Sequence, residues 1–392
     1  MKIDKGGTQH KRLPAHGSTQ QESQKYFPGI WNQYYATFSV CVAGFGLGAS
    51  GGWASPMLLV LESEDSPVGP MTNLEISPLE TLPAIAALFS TVIFATILTR
   101  FGRKAAGYLG AAVSIVGWLF LLSAKYKLQL YIGRFIVGLS TVGLAMIGPI
   151  YLSEVAYVSI RGSLMTYTGF AAHFGSLVSF IVGAICSYRL FTAICMIGPL
   201  LFPLTYFWIP ESPQFLLLQS RNAEARNALL WYRGGDSSLV DAELESLSNV
   251  SKHRMTFRVV LKDRGNRRAI LVFLFLFTFT TMAGTAVISG YASKIFQNAD
   301  SALDPNTSAA VLASIKFISS LVAIQLIDRF GRKVLVIFSY FNFLVESLFA
   351  VSAIFISWYI VPETKGKTIA EISQILKGDV PHVSKKSHIT RL

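Results

Sequence analysis

Runs of about 20 apolar residues recur along almost the whole chain, and a run of that length is what an α-helix needs to cross the hydrocarbon core of a bilayer. Nine are read in the 392 residues: roughly Ala36 to Leu58, Thr81 to Leu98, Ala105 to Ala124, Leu130 to Leu152, Leu164 to Ile185, Phe191 to Ile209, Ala269 to Tyr291, Ala309 to Ile327 and Val334 to Val361. In hydrocarbon the backbone N–H and C=O groups must pair within the segment, so helices are the form such runs take. Composition agrees, with 52% hydrophobic and 14% charged residues, against about a quarter charged in a soluble domain. An ordinary soluble enzyme and a disordered chain are both excluded. The fold class expected is all-α, a polytopic membrane protein.

Charge then sets orientation. The excess of 34 Lys and Arg over 22 acids would suggest nucleic acid in a soluble chain, but in a membrane protein it marks cytoplasmic loops, and no nucleic-acid partner is expected. The first 33 residues carry Lys2, Lys5, Lys11, Arg12 and Lys25, without an apolar signal core or a cleavage site. The loop after the first run holds Glu62, Glu64, Asp65, Glu75 and Glu80 and neither Lys nor Arg. The tail is therefore expected inside and that loop outside, and alternation puts Arg100, Arg103, Lys104 and the polar stretch from Glu211 to Arg268 inside. In that stretch Ser212 is placed to cap a helix beginning at Pro213, and Val240, Leu244 and Leu247 share one helical face. The three cysteines, Cys41, Cys186 and Cys195, lie in apolar runs without metal or disulfide spacing, so they read as packing residues and no metal is expected.

The chain also repeats. Arg100-Phe101-Gly102-Arg103-Lys104 recurs as Arg329-Phe330-Gly331-Arg332-Lys333, and Pro210-Glu211 is echoed by Pro362-Glu363. Repeated halves suit a transporter, where two bundles rock around a central site. The organisation expected is a cytoplasmic tail at 1–33, a six-helix bundle at 34–210, a cytoplasmic helical linker at 211–268, a truncated second bundle at 269–361 and a cytoplasmic-type tail at 362–392.

Two glycine patterns near residue 50, fitting G-x-G-x-x-G and G-x-S-x-G, lack the strand-to-helix context that gives them chemistry. Gly44, Gly48 and Gly52 instead stand four apart on one helix face, where a neighbouring helix approaches closely. In the two Arg-Phe-Gly-Arg-Lys loops the glycine permits a tight turn while the cations stay at the cytoplasmic surface. Topology alone explains these cations, but Glu154, Glu211 and Glu363 fall at the same side. Opposite charges at helix ends make a breakable latch, with Arg100, Arg103, Glu154, Arg161, Glu211, Arg329, Arg332 and Glu363 as its candidates.

Gly133-Arg134, Pro149-Ile150-Tyr151-Leu152-Ser153-Glu154 with Arg161-Gly162, Pro210-Glu211-Ser212-Pro213, the doubled basic loop and Pro362-Glu363-Thr364-Lys365-Gly366 together resemble the sugar porters of the major facilitator superfamily. The match runs from about Tyr34 to Leu376, and Gly52-Trp53-Ala54-Ser55-Pro56 looks closest to the insect facilitated trehalose transporters. The resemblance implies twelve helices in two halves, a hexose or disaccharide held midway, alternating access and no cofactor. It places substrate contacts at Thr168, Thr280, Thr281, Tyr291 and Lys316, with His173 nearby. Where the family carries amides in its seventh span this chain reads Thr280, Thr281, Met282, Ala283, Gly284, Thr285 and Ala286, and a family asparagine of the eighth span falls on Lys316. The family's fifth-span glutamine falls on Gly169. A charge in mid-span has to face the cavity or a carboxylate, and Glu346 is the partner nearest in type.

The family places four spans between the second basic loop and Pro362; here Val334 to Val361 offers 28 residues, enough to cross once. A splice variant or an imperfect gene model joining two spans accounts for this. With no acid from Ala36 to Leu58, facilitation is expected over proton coupling. The function expected is facilitated sugar transport in the plasma membrane, with a small-molecule sugar and the lipid bilayer as partners. The alternative is a truncated, non-transporting membrane protein that senses sugar or associates with intact porters. An enzyme is not expected, because no nucleophile, base and orienting group converge in a polar segment. Asn306-Thr307-Ser308 is an acceptor sequon expected outside, and Asn249-Val250-Ser251 a second one expected inside.

Overall fold

The computed structural model describes residues 28–251, 262–282, 284–299 and 303–337, apart from 332 and 335. All regular structure among them is helical: α1 (Ile30–Glu62), α2 (Asn73–Arg100), α3 (Arg103–Leu122), α4 (Lys127–Val155), α5 (Arg161–Ile185), α6 (Tyr188–Cys195), α7 (Ile197–Tyr206), α8 (Pro213–Leu218), α9 (Asn222–Tyr232), α10 (Ser237–Ser251), α11 (Arg264–Met282), α12 (Thr285–Gly290), α13 (Ala292–Asn298) and α14 (Pro305–Phe330). Among the described residues six helices are long and apolar enough to cross a membrane, α1 to α5 and the α6–α7 pair taken as one. The 33 residues of α1 make about 50 Å of helix at 1.5 Å per residue, so its ends project beyond a hydrocarbon core of about 30 Å.

Helices associating in lipid gain little from apolar burial and rely on close backbone approach. The α1–α5 seam shows how close. A Cβ placed on Gly48 would stand 1.8 Å from the Ala172 carbonyl oxygen, and the same stripe sets Gly44 against Thr168 and Gly52 against Ser176 and Ser179. The glycine face read from the sequence is therefore the seam itself. Between α2 and α3 the turn is only Phe101 and Gly102. Gly102 has φ +99°, and a Cβ there would meet Glu211 Oε2 at 2.3 Å, so a glycine is required on both counts.

Beyond α7 the chain forms a small helical platform. Ser212 Oγ accepts from the Phe215 amide at 3.3 Å and Pro213 opens α8, as the sequence indicates. Val240 is buried, and Leu244 and Leu247 of α10 pack on Leu216, Leu217, Ala225 and Ala228. The platform meets the start of α1, where Asn32 Nδ2 donates to the Trp231 carbonyl at 2.5 Å and Gln33 Nε2 to that of Tyr232 at 3.2 Å.

One expected span differs. The run from Ala269 to Tyr291 is not a single helix but α11 and α12, because Gly284 takes a left-handed backbone (φ +71°) that an L residue adopts at a cost. The run Ala309 to Ile327 lies within α14. Most of the run from Val334 to Val361, and the tail from Pro362, lie outside the described residues.

Candidate functional site

The candidate site residues fall at three levels of the bundle: the end bearing Glu154, the opposite end bearing Lys294, and the middle.

At the Glu154 end, Arg103 opens α3 and grips Glu154 of α4 with two parallel bonds, Nη2 to Oε1 at 2.5 Å and Nε to Oε2 at 2.9 Å. Both side chains are nearly closed to solvent, at 11% and 9% exposure. Glu211 takes the other role: its carboxylate accepts from the Arg103 amide at 3.1 Å and the Lys104 amide at 2.9 Å, capping the start of α3 where helix N–H groups favour an anion. Arg161 donates from Nη2 to the Ala156 carbonyl at 3.3 Å, while its Nε is buried without a partner. Arg100 stands exposed at the end of α2. Of the eight latch candidates, then, Arg103, Glu154 and Glu211 meet, and they meet within the first half. Arg329 falls in the last turn of α14; Arg332 and Glu363 lie outside the described residues.

Further contacts at this end, made by Arg233 and Tyr151, escape a reading of motifs. Arg233 pairs with Glu243 at 2.7 and 2.6 Å, donates to the Val155 carbonyl at 3.0 Å and lies 4.2 Å over the Tyr157 ring. Tyr151 and Tyr232 share a hydroxyl contact, and Tyr151 donates to the Pro210 carbonyl at 2.5 Å. The signal for the Arg233 pair is present in sequence only as an Arg and a Glu flanking the Gly234-Gly235 turn.

At the opposite end the contacts cross between the first six spans and the helices that follow. Ser55 of α1 donates to Ser293 Oγ at 3.0 Å and accepts from the Ser293 amide at 2.9 Å, both residues fully buried. Lys294 of α13 reaches Glu62 of α1 and Asn73 of α2. Glu80 of α2 lies so close to Gly290 that a Cβ there would stand 2.7 Å from its Oε2. The same Glu80 pairs with the buried Arg134 at 3.4 Å, and Arg134 also donates to the Leu79 carbonyl at 2.8 Å and sits 5.3 Å over the Trp53 ring. None of the polar partners on α13 stands out in sequence.

In the middle, Lys316 of α14 donates to Ser289 Oγ of α12. Phe317 packs against Phe170 and Phe174 of α5, its ring tilted to both, with centroids 4.9 and 5.6 Å away. His173 is exposed on that α5 face and within electrostatic reach of Lys316. The other substrate candidates are scattered. Thr168 returns its hydroxyl to the Met165 carbonyl at 2.7 Å and packs against Gly44 and Gly148. Thr280 and Thr281 are exposed on α11 and bond to the Leu276 and Phe277 carbonyls at 2.8 Å. Tyr291 packs against the Trp53 cluster, near the Lys294 end. Among the described residues no group of His, Cys, Asp and Glu has the makings of a metal site, and all three cysteines are free thiols.

Comparison with known proteins agrees with this architecture. Residues 62–345 match the family model described as sugar (and other) transporter. The facilitated trehalose transporter Tret1 of Bombyx mori is 29% identical over 341 residues, covering 85% of this chain and 65% of that protein. The Tret1 of Aedes aegypti is 28% identical over 319 residues, covering 79% of this chain and 39% of that protein. The chain thus spans less than two thirds of these relatives. Among solved structures, a double-tryptophan variant of XylE aligns with a TM-score of 0.67 at 18% identity, covering 88% of this chain and 99% of that one. The E. coli xylose transporter XylE in a partially occluded inward open conformation aligns with a TM-score of 0.63 at 19% identity, covering 88% and 89%. These likenesses give the fold, a major facilitator type built of membrane helices, and the family is one of transporters and not of enzymes. With the model matched over most of its length, this chain is a multi-pass membrane protein that belongs to the sugar (and other) transporter family.

Proposed function

We propose that the chain carries a sugar, trehalose or a hexose, across the plasma membrane by facilitated alternating access. One observation supports this above the rest. Polar contacts between the first six spans and α12–α13 gather at the Lys294 end, whereas the ion pairs described at the Glu154 end brace the first half and its platform internally. Two bodies joined at one mouth, with the ion pairs described at the other bracing the first of them, suit a rocking motion about a central site. In this reading the Glu154 end faces the cytoplasm. Arg329, Arg332 and Glu363 approach the cluster of Arg100, Arg103, Glu154, Arg161 and Glu211 when that mouth closes, while Thr168, Thr280, Thr281, Tyr291 and Lys316 serve the substrate. The names of the relatives supply the solute class, since two are facilitated trehalose transporters. Uptake of radiolabelled trehalose and glucose into vesicles holding the purified chain tests it. Saturable uptake above empty vesicles is expected, and none for either sugar overturns it.

A second reading, a non-transporting relative that senses sugar or joins intact porters, is favoured by the 28 residues from Val334 to Val361, where the family has room for several spans. Restoring the absent spans separates the two readings: uptake that appears only in the lengthened chain favours the second.

A further inference from the structure

We infer that the polar site between α5, α12 and α14 takes a hydroxylated monocarboxylate, a sugar acid, with the ammonium of Lys316 as its counter-charge. This rests on the transport reading and changes its solute from a neutral sugar to the corresponding acid. Lys316 lies eleven residues into the 26-residue α14, near mid-span. Its described partner is the neutral hydroxyl of Ser289. The ion pairs among the described residues belong to Arg103, Lys127, Arg134, Arg221, Arg226, Arg233 and Lys294, and none engages Lys316. A half-buried cation in that setting is costly until an anion or water reaches it. A bound carboxylate supplies the missing charge and accepts from the same ammonium.

The walls argue for a sugar acid over a simple anion. Phe170, Phe174 and Phe317 form an aromatic cluster of tilted rings, with Phe174 44% exposed. An aromatic cluster suits the C–H side of a pyranose. Gly169, one residue before Phe170, has open space where a side chain would stand, since nothing lies within 4 Å of its Cβ position. Ser289 bonds the ammonium and the exposed His173 lies within its electrostatic reach, a hydroxyl and an imidazole of the kinds that hydrogen-bond ring hydroxyls. A neutral sugar would leave the lysine charge uncompensated. A phosphate ester would bring nearly two charges to a single ammonium.

The test is equilibrium binding of radiolabelled glucuronate and glucose to the full chain in lipid nanodiscs, for the native protein and for K316Q, K316R and K316N, each checked for an unchanged melting temperature. Glucuronate should bind the native chain saturably, weaken about 30-fold or more in K316Q, as for loss of one partner of a desolvated charge pair, and recover to within a few-fold in K316R. K316N should shift preference toward glucose. Equal glucuronate binding by native and K316Q protein overturns the inference, as does competition by acetate or inorganic phosphate as strong as that by glucuronate. Glucuronate binding that appears only when Glu346→Gln is introduced also overturns it, by showing that the chain's own carboxylate fills the site. Glucose binding and uptake that ignore Lys316 would refute the sugar acid and leave the transport reading standing. Lys316-dependent glucuronate binding without uptake of any solute would do the reverse.

Discussion

Both ends of the bundle are held by charge, yet the charges hold different things. At the Glu154 end, Arg103 with Glu154 ties α3 to α4, Glu211 ties the chain after α7 to the start of α3, and Arg233 ties the platform to Val155 at the end of α4. All of these residues belong to the first six spans or to the platform packed beneath them. At the Lys294 end, a single amine on α13 reaches α1 and α2, and one serine pair joins α13 to α1. A bond inside one body adds to its rigidity and leaves the equilibrium between open and closed mouths unchanged, whereas a bond between bodies weights that equilibrium by its own free energy. Charge at a helix end is thus not evidence of a gate until its partner is known to belong to the other body.

The comparison breaks most readily at Glu154. Replacing it with Gln strands the Arg103 guanidinium in a site where both partners are about a tenth exposed, a loss of about 3–5 kcal/mol for a buried pair cut on one side. E154Q should therefore lower the melting temperature of the detergent-solubilised chain sharply, while Arg100→Gln, at an exposed position, leaves it unchanged. If E154Q instead melts like the native chain and alters only the accessibility of cysteines at that mouth, the pair belongs to a gate and the contrast between the ends collapses.

The α1–α5 seam runs the length of the body that both ends share. A Cβ on Gly48 meets the Ala172 carbonyl, whereas Gly51 has nothing within 4 Å of its Cβ position. Gly48→Ala is expected to cost about 1–3 kcal/mol through forced separation of the helices, and Gly51→Ala to cost nothing measurable. Thermal melts of the two variants side by side decide this. Equal melts would mean that α1 and α5 are not locked, and that the first half is not the rigid unit on which the comparison depends.

At the other end a smaller effect is expected, on conformation and not on stability. Lys294 and Glu62 are about a fifth to a quarter exposed, so their link is worth about 1 kcal/mol, a roughly fivefold shift in population. Lys294→Gln should raise the share of long distances between spin labels placed at the exposed positions 64 and 297, which sit on either side of that seam. Glu62→Gln should reproduce the shift, and the double variant should add nothing further. Distance distributions indifferent to both changes would leave the serine pair and the packing of Gly290 and Tyr291 to hold the bodies there.

What the sequence disclosed and what it withheld divide along the same line. Local signals were enough for the helices, for the Gly102 turn, for the Ser212 cap and for the glycine stripe at Gly44, Gly48 and Gly52, because each depends on residues a few positions apart. The identity of the latch residues was legible too, but not their partners. Arg103 faces Glu154 across 51 positions and Lys294 faces Glu62 across 232, separations over which no periodicity carries information. The break at Gly284 was missed because the apolar run continues through it, and hydropathy is blind to a backbone dihedral. Of the substrate candidates, Lys316 and Tyr291 lie against elements of both halves or their seam, while Thr168 and the Thr280–Thr281 pair bond back to their own helices. A hydroxyl in a helix interior has that option whatever its surroundings.

The smallest effect is the one that fixes which end is which. Asn306 is the second residue of α14, beside Asp304, whose carboxylate accepts from the amides of Asn306 and Thr307 at 3.1 Å. It follows α13 and so belongs to the Lys294 end, since Ala309, three residues on, packs with Ala292. Asn249 lies in α10, on the platform at the Glu154 end. Only a sequon in the lumen of the secretory pathway, later the cell exterior, receives carbohydrate. If the Lys294 end is external, Asn306→Gln should abolish a glycosidase-sensitive mobility shift and Asn249→Gln should leave it in place. Occupancy is expected to be partial, because Asn306 is half-buried with its Oδ1 enclosed and unpartnered, so that carbohydrate has to be attached before the first turn of α14 closes. A shift lost with Asn249 and kept with Asn306 would invert the molecule, placing the clamp of Lys294, Glu62 and Asn73 in the cytoplasm and the braced end outside. The distance measurements would then report on the opposite mouth, with the internal logic of the two ends unaltered.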